Sequence, residues 1–328
     1  MLERHSPAAP QRETAEMAPK AVQCGNAGAE IQGVDITKLS NEETAFIKEQ
    51  LAQRGVVFFR DQELSVADHQ TFAERFGPIS QNRFFARVED APQVAEVRKE
   101  RHQLFNIGAG FHTDHSYDVE PAMGSILVAR ELPQKGGDTI FVDMYRAYET
   151  LPEDLKRKLE GLNAVHSSRH VFGPQGSAQG LGDGRLGAAD EEEALEGVLH
   201  PVVLTHPDSG RKVLFVNPAF TLHFEGTTRE ESAPLLERLY LHAVQPQHLH
   251  RFKWKPGSVA FWDNRSTWHC ALNDYQGQRR VMHRITLGGT SISNLNDPER
   301  LAAKGGLQVD LGDMYNPYDD LNRALVQQ

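Results

Sequence analysis

The stretch Phe111-His112-Thr113-Asp114-His115-Ser116-Tyr117 sets an imidazole and a carboxylate two residues apart. On an extended strand, side chains at i and i+2 point to the same side. His112 and Asp114 would then be two corners of a 2-His-1-carboxylate site. Such a site holds Fe(II) through three protein atoms and leaves positions open for a co-substrate and dioxygen. A third ligand must come from far along the chain, and His269 is the candidate. The pair alone is a weak signal. With 15 histidines and 45 acidic residues, about two His-x-acid pairs arise by chance. Two others do occur. His206-Pro207-Asp208 runs into Ser209-Gly210 and reads as a solvated hairpin tip. His223-Phe224-Glu225 runs into Gly226-Thr227-Thr228 and reads as a loop ahead of a helix.

The elements that must position these residues are mostly short strands. Val56-Val57-Phe58-Phe59 is a continuous apolar run, which marks a buried strand. Strands are also expected at 125–129, 140–142, 200–205, 213–217, 258–262 and 279–287, with a short strand and turn within 31–39. Helices are expected after Ser40 and after Ser65, over 144–151 and 153–162, and around Leu235–Tyr240. No G-x-G-x-x-G follows a strand and no P-loop occurs. This pattern favours a mainly β jelly-roll core with flanking helices. Residues 79–110 read as irregular. Phe84, Phe85 and Phe105 within them are either core anchors or a pocket wall. Residues 1–20 are polar and Pro/Ala/Glu-rich, and disorder is expected there. Residues 173–197, Gly-rich and then acidic, read as a flexible lid or loop. A single domain over 21–328 is expected.

Composition narrows the partners. A formal net charge of −10 argues against nucleic acid and anionic membranes. Cys24 and Cys270 are too few for a disulfide framework or a thiolate metal cluster, and a cytoplasmic setting is expected. No apolar run approaches the length of a membrane span. In the last strand Arg280, Met282 and Arg284 share one face. If that face is inside, each arginine needs an anion; if outside, both are solvated, and propensity leaves both open. Thr139, just after Gly136-Gly137, could donate its hydroxyl to a carboxylate or be an ordinary β-branched strand residue.

The ordered set of segments 55–62, 72–78, 111–117, 136–139, 200–207, 262–265 and 279–284 resembles the TauD/TfdA family of Fe(II)/2-oxoglutarate-dependent dioxygenases. The resemblance covers residues 28–290 and includes Gly136-Gly137-Asp138-Thr139 and Trp262-Asp263-Asn264-Arg265. It implies a double-stranded β-helix fold. It places the iron ligands on His112, Asp114 and His269, and the distal carboxylate of 2-oxoglutarate on Thr139 and Arg280. It puts Arg284 at an anionic group of the prime substrate, with Phe220 lining the pocket; Tyr117, beside the His-x-Asp pair, is a further candidate for an apolar wall. It implies hydroxylation of a C–H bond by dioxygen, with succinate and carbon dioxide as co-products. Asp114 argues against a halogenase, where a small residue frees a metal position.

Two departures bear on the substrate. Taurine dioxygenase carries a second sulfonate-contacting His soon after its Phe-Gly pair, and 76–83 here contains none. Gly108 stands where that enzyme has an Asn. Segments 143–151 and 160–166 are similar to the aryloxyalkanoate dioxygenases. The expected substrate is a small organic acid, a sulfonate, aryloxyalkanoate or relative, larger or more apolar than taurine. A homo-oligomer is expected, and residues 291–328 extend beyond the resemblance. The other reading is a non-redox metal-binding jelly roll or a zinc hydrolase, for which no general base stands out.

Overall fold

The computed structural model describes residues 18–173 and 197–297, with Glu299, Ala302 and Leu307 beyond them. Residues 174–196 of the expected lid, the N-terminal segment up to residue 17 and most of the C-terminal extension therefore lie outside the described residues.

The chain opens with β1 (Lys20–Gln23), β2 (Ala29–Gln32), α1 (Asn41–Arg54), β3 (Val56–Phe59) and α2 (Val66–Glu74). Next come β4 (Ile79–Ser80), β5 (Arg87–Val88), β6 (Ala91–Lys99), β7 (Gly124–Glu131) and β8 (Thr139–Asp143). α3 (Met144–Glu149), α4 (Glu153–Leu159), β9 (Asn163–His166) and α5 (Arg169–Phe172) follow. After the gap run β10 (Val198–Pro201), β11 (Val203–Thr205), β12 (Lys212–Leu214), β13 (Thr221–Phe224) and α6 (Arg229–Ala243). The chain closes through β14 (Leu249–Phe252), β15 (Val259–Asp263), β16 (Thr267–Ala271) and β17 (Arg280–Leu287).

The major sheet has the order β1-β2-β3-β15-β7-β17-β6-β5, with β4 also on β17, and faces a minor sheet β14-β8-β16. Strand alternation sorts their side chains. Val57, Phe59, Ile126, Val128, Phe261 and Ile285 point outward onto α1 and α2. Phe58, Leu127, Trp262 and Met282 point inward, against Phe141 and Phe252 of the minor sheet. The outer face of the minor sheet, at Val142, Trp268 and Cys270, packs on residues of α3, α4 and α6. This is the expected β-helix sandwich with helices outside. Because Met282 points inward, Arg280 and Arg284 do too, which settles the question left open by propensity.

The helix starts are legible. Ser40 with Glu43, Ser65 with Asp68 and Thr228 with Glu231 each form a reciprocal capping box. Three expectations need correction. Residues 79–110 are not irregular throughout: β6 lies within them and pairs with β17. Its alternating Glu96, Arg98 and exposed Pro92 mask an inner face of Ala95, Val97 and Lys99. The helix expected over 153–162 stops at Leu159, because Gly161 turns the chain at φ 79°. The N-terminal segment becomes a strand already at Lys20, paired with Gln32.

Candidate active site

The site lies between the two sheets. His269 belongs to β16, and its backbone exchanges both hydrogen bonds with His112, at 3.1 and 2.8 Å. This isolated bridge corrects the expected strand at 111–117. Extended pairing stops there, because 114–117 turn and His115 takes φ 59°. Two carbonyl contacts still fix the alternation: Thr113 Oγ1 donates to Asn264 O and to Thr267 O, the latter at 3.0 Å. Thr113 thus faces away, and His112 and Asp114 face the same side.

The ligand atoms of His112, Asp114 and His269 all lie within 4.8 Å of one another. Asp114 Oδ1 is 3.7 Å from His112 Nε2, and Oδ2 is 3.5 Å from His269 Nε2. His112 Nδ1 donates to Gly110 O at 3.0 Å, which leaves Nε2 with its lone pair. Arg284 Nη1 donates to Asp114 Oδ1 at 3.2 Å. Its Nη2 lies 2.8 Å from Oδ2 but off the hydrogen-bonding direction, so Oδ2 accepts no hydrogen bond among the described residues. Burial pushes the Asp114 carboxyl up, but Arg284 and then His269 and His112 outweigh it and hold it well below the usual carboxylate range. Burial, followed by the neighbouring His112, keeps His269 neutral. The neutral His269 imidazole, the ionised Asp114 carboxylate and the Nε2 of His112 bring their ligand atoms within 4.8 Å of one another. That donor set fits a divalent cation with open positions.

Two residues along each strand from this point, about 7 Å away, Thr139 pairs with Ala271 across the minor sheet. Trp254 Nε1 donates to Thr139 Oγ1 at 2.9 Å, so the threonine hydroxyl hydrogen is directed elsewhere. The Arg280 guanidinium lies 5.9 Å from the same Trp254 ring. Arg280 is only 4 % exposed. Its Nε and Nη2 have no hydrogen-bond partner among the described residues. Burial lowers its pKa, with Tyr275, Asp138 and Asp274 opposing. A buried guanidinium whose Nε and Nη2 lack partners among the described residues, near a threonine hydroxyl, has the chemistry to receive a carboxylate. Gly137 permits the approach: at φ 72°, a Cβ there would sit 3.2 Å from Arg280 Cδ.

On the other side stands an aromatic wall. Tyr117 and Phe220 pack edge to face at 4.7 Å, and Phe220 lies 6.4 Å from the His112 ring. Phe84 joins them, with Phe85 and Phe172 packed against the group. Phe105 does not; it is 65 % exposed. Phe85 reaches to within 5.6 Å of the Arg284 guanidinium. The wall therefore runs without a break from a buried cation.

Three converging ligand atoms, a buried guanidinium on the same inner face and an apolar wall edged by a second buried cation thus surround one space between the sheets. The Taurine catabolism dioxygenase TauD, TfdA family model matches residues 14–286. The chain belongs to the TauD/TfdA family. It is an Fe(II)-, 2-oxoglutarate- and dioxygen-dependent dioxygenase. The dioxygenase is 34% identical to an alkylsulfatase of Acinetobacter baylyi, over 81% of this chain and 83% of that one. It is 34% identical to the alpha-ketoglutarate-dependent 2,4-dichlorophenoxyacetate dioxygenase of a Burkholderia species, over 76% of this chain and 87% of that one. A crystal structure of a taurine dioxygenase from Burkholderia xenovorans superposes with a TM-score of 0.67 at 34% identity, covering 83% and 90% of the two chains.

The other two His-x-acid pairs of the dioxygenase fall elsewhere than expected. The β11–β12 hairpin is present, but His206 at its tip is buried. Its Nε2 donates to Asp263 at 3.0 Å and its Nδ1 accepts from the backbone of Asp208 and Ser209. The hairpin docks through this ring, while Pro207, Asp208 and Gly210 at its tip are exposed as expected. His223 lies in β13 rather than a loop and is 2 % exposed, because β13 pairs with β9. Trp254 and Thr113 were missed. Each acts through a long-range contact, and neither sits in a local pattern that would announce it.

Proposed function

We propose that His112, Asp114 and His269 hold the Fe(II), and that Thr139 and Arg280 hold the distal carboxylate of 2-oxoglutarate. The prime substrate is a small organic acid whose anionic group meets Arg284 and whose alkyl or aryl part lies along Phe85, Tyr117 and Phe220. The observation that carries this reading is Arg284. It is buried, with an Nε that lacks a hydrogen-bond partner among the described residues, and it borders both the niche and the aromatic wall. A cation in that position orients an amphipathic anion so that one C–H is presented at the metal. The alkylsulfatase and dichlorophenoxyacetate relatives act on molecules of that kind by their names. When bound, iron supplies the activation of dioxygen, coupled to conversion of 2-oxoglutarate to succinate and carbon dioxide. The chain's own residues supply the rest. The bridge between His112 and His269 fixes the ligand spacing, Gly110 fixes the tautomer of His112, and the aromatic wall excludes water. If the hydroxylated carbon bears sulfate, sulfite or phenolate, the product collapses and releases it. The negative charge and the paucity of cysteine support a cytoplasmic enzyme acting on a small molecule.

Succinate release should be screened over alkyl sulfates, alkyl sulfonates, aryloxyacetates and taurine. Alkyl or aryl acids should stimulate it more than taurine does. In Arg284→Gln, that stimulation should fall at least tenfold while 2-oxoglutarate still binds, in line with loss of one charge-assisted contact worth about 1.5–3 kcal/mol. Equal stimulation of wild type and variant would mean that the substrate's anion lies elsewhere.

A further inference from the structure

A cavity that shares no residue with the metal ligands or the aromatic wall lies between the β1–β2 turn, the end of α1 and α3. Its volume is about 370 Å³, within the range of roughly 300–1,000 Å³ typical of small-molecule sites. Three half-buried arginines line it, and each is anchored to another part of the wall. Arg54 Nη1 donates to the Gln23 side chain, and its Nε donates to Gln50 Oε1 at 2.8 Å. Arg146 Nη1 donates to Asn26 O at 3.4 Å. Arg211 Nη1 donates to Gln53 O at 2.6 Å, which covers a carbonyl at the C-terminal end of α1. Its guanidinium also lies 4.1 Å from the centre of the buried Tyr145 ring.

Comparable arginines elsewhere find carboxylates: Arg60 meets Glu30 at 3.3 Å and Arg251 meets Asp138 at 2.7 Å. Arg54 and Arg146 meet none among the described residues; their contacts are to amide and carbonyl oxygens. The lining holds two acids. Glu149 is engaged by Arg211 at 2.5 Å. Asp143 caps α3, accepting from Arg146 N at 3.1 Å. Burial pushes the Asp143 carboxyl up to about 6, so it opposes an incoming anion less than an ordinary carboxylate does. Three guanidinia against two acids make this cavity a cationic spot on a chain whose formal net charge is −10. Arginines already held by wall contacts lose little freedom on meeting a ligand, and their planar forks match the oxygens of a phosphate or sulfate. We propose that this cavity is a second binding site, for the tetrahedral oxyanion of phosphate or sulfate, free or as the head of a small ester, with Arg54 and Arg146 as its principal contacts. The volume leaves room for a small organic part beside the oxyanion. The proposal does not depend on the residues assigned to iron, 2-oxoglutarate or the prime substrate.

The test is calorimetric titration of the full chain with inorganic phosphate, inorganic sulfate and glycerol 3-phosphate. The protein is loaded with Mn(II) and saturated with 2-oxoglutarate, so that the metal does not compete for the anion. One oxyanion should bind per chain. Arg54→Gln and Arg146→Gln should each weaken it at least tenfold, as expected for loss of one charge-assisted contact. Arg146→Lys should recover part of that loss. Asp143→Asn keeps an acceptor for the α3 cap and removes a like charge, so it should bind the oxyanion roughly threefold more tightly. Arg284→Gln should change the affinity less than twofold. Absence of binding by all three probes, wild-type affinity in both Arg54→Gln and Arg146→Gln, or a loss confined to Arg284→Gln overturns the proposal. Tighter binding of the ester than of either ion assigns the cavity to a phosphorylated small molecule; no gain from the ester assigns it to the free ion. An unfolding midpoint for each variant shows that the titrated protein is folded.

Discussion

Two clusters in this molecule share one composition and differ in use. His112, Asp114 and His269 with Arg284 make one; His206, Asp208 and Asp263 with Arg265 make the other. Each brings three potential ligand atoms within 4.8 Å of one another. In the second cluster the lone pairs are consumed. Asp263 accepts from Arg265 Nε at 2.9 Å, from Nη2 at 2.6 Å, from the Arg265 backbone at 2.8 Å and from His206 at 3.0 Å. Asp208 accepts from the same Nη2 at 2.7 Å. Both nitrogens of His206 are engaged. In the first cluster Asp114 Oδ2 accepts no hydrogen bond among the described residues, and the two imidazole Nε2 atoms lie 3.7 and 3.5 Å from the carboxylate oxygens. Residue type and proximity therefore do not make a metal site. What separates a ligand set from an internal latch is whether hydrogen-bond donors have already taken its lone pairs.

The largest effect should come from breaking the first cluster. His269→Ala should abolish 2-oxoglutarate decarboxylation and weaken Mn(II) binding by more than about 100-fold, since losing a mere supporting partner of a ligand typically costs 10–100-fold. Its unfolding midpoint without metal should stay near that of wild type. Decarboxylation at the wild-type rate in this variant would remove His269 from the site. Asp263→Ala should show the opposite profile. Leaving the buried Arg265 guanidinium with only the half-exposed Asp208 as an anionic partner, and His206 without its acceptor, should cost up to roughly 3–5 kcal/mol of stability. The fraction that stays folded should still bind one Mn(II). Denaturant melts paired with metal titration distinguish these outcomes, and loss of metal with no loss of stability would mean that the clusters are misassigned.

A smaller effect concerns imidazoles outside both clusters. Burial pushes the pKa of His200 and of His170 down to about 4, against a free value of 6.5. Above the free value both folded and unfolded chains carry them neutral. As pH falls below it, only the unfolded chain gains the proton, so folded stability declines from about pH 6.5 to about pH 4. Each ring contributes roughly 3 kcal/mol at the acid limit. His200→Gln should therefore flatten the acid limb of a stability-against-pH curve. An unchanged limb would show that carboxylate titration dominates there.

The contrast also explains what the sequence could and could not reveal. The capping boxes at Ser40, Ser65 and Thr228 are local, so the helix starts were legible. β17 was legible as a strand, but its inner face was not, because Arg280-Met282-Arg284 and Val281-His283-Ile285 are equally plausible interiors until a facing sheet is known. β6 was hidden by charges that alternate with its inner residues. His112, Asp114 and His269 were legible only as types and order. That His206 belongs to a latch depends on Arg265, 57 residues from Asp208, and no local pattern carries that. Trp254, which orients Thr139, is likewise defined by a contact across 115 residues.

The bridge between His112 and His269 has a thermodynamic consequence. An unfolded chain offers a cation the lone His-x-Asp pair; the third donor arrives only when the two ends of the sandwich have been zipped together. A metal bound there is selective for the assembled state and acts as a reversible clasp on a very long chain loop. Its hold scales with the free concentration of metal relative to its dissociation constant, reaching about 2.7 kcal/mol at a hundredfold excess over that constant. With these three residues as the ligands, the resistance of this protein to heat should rise with the solution's divalent cations as well as with its own packing.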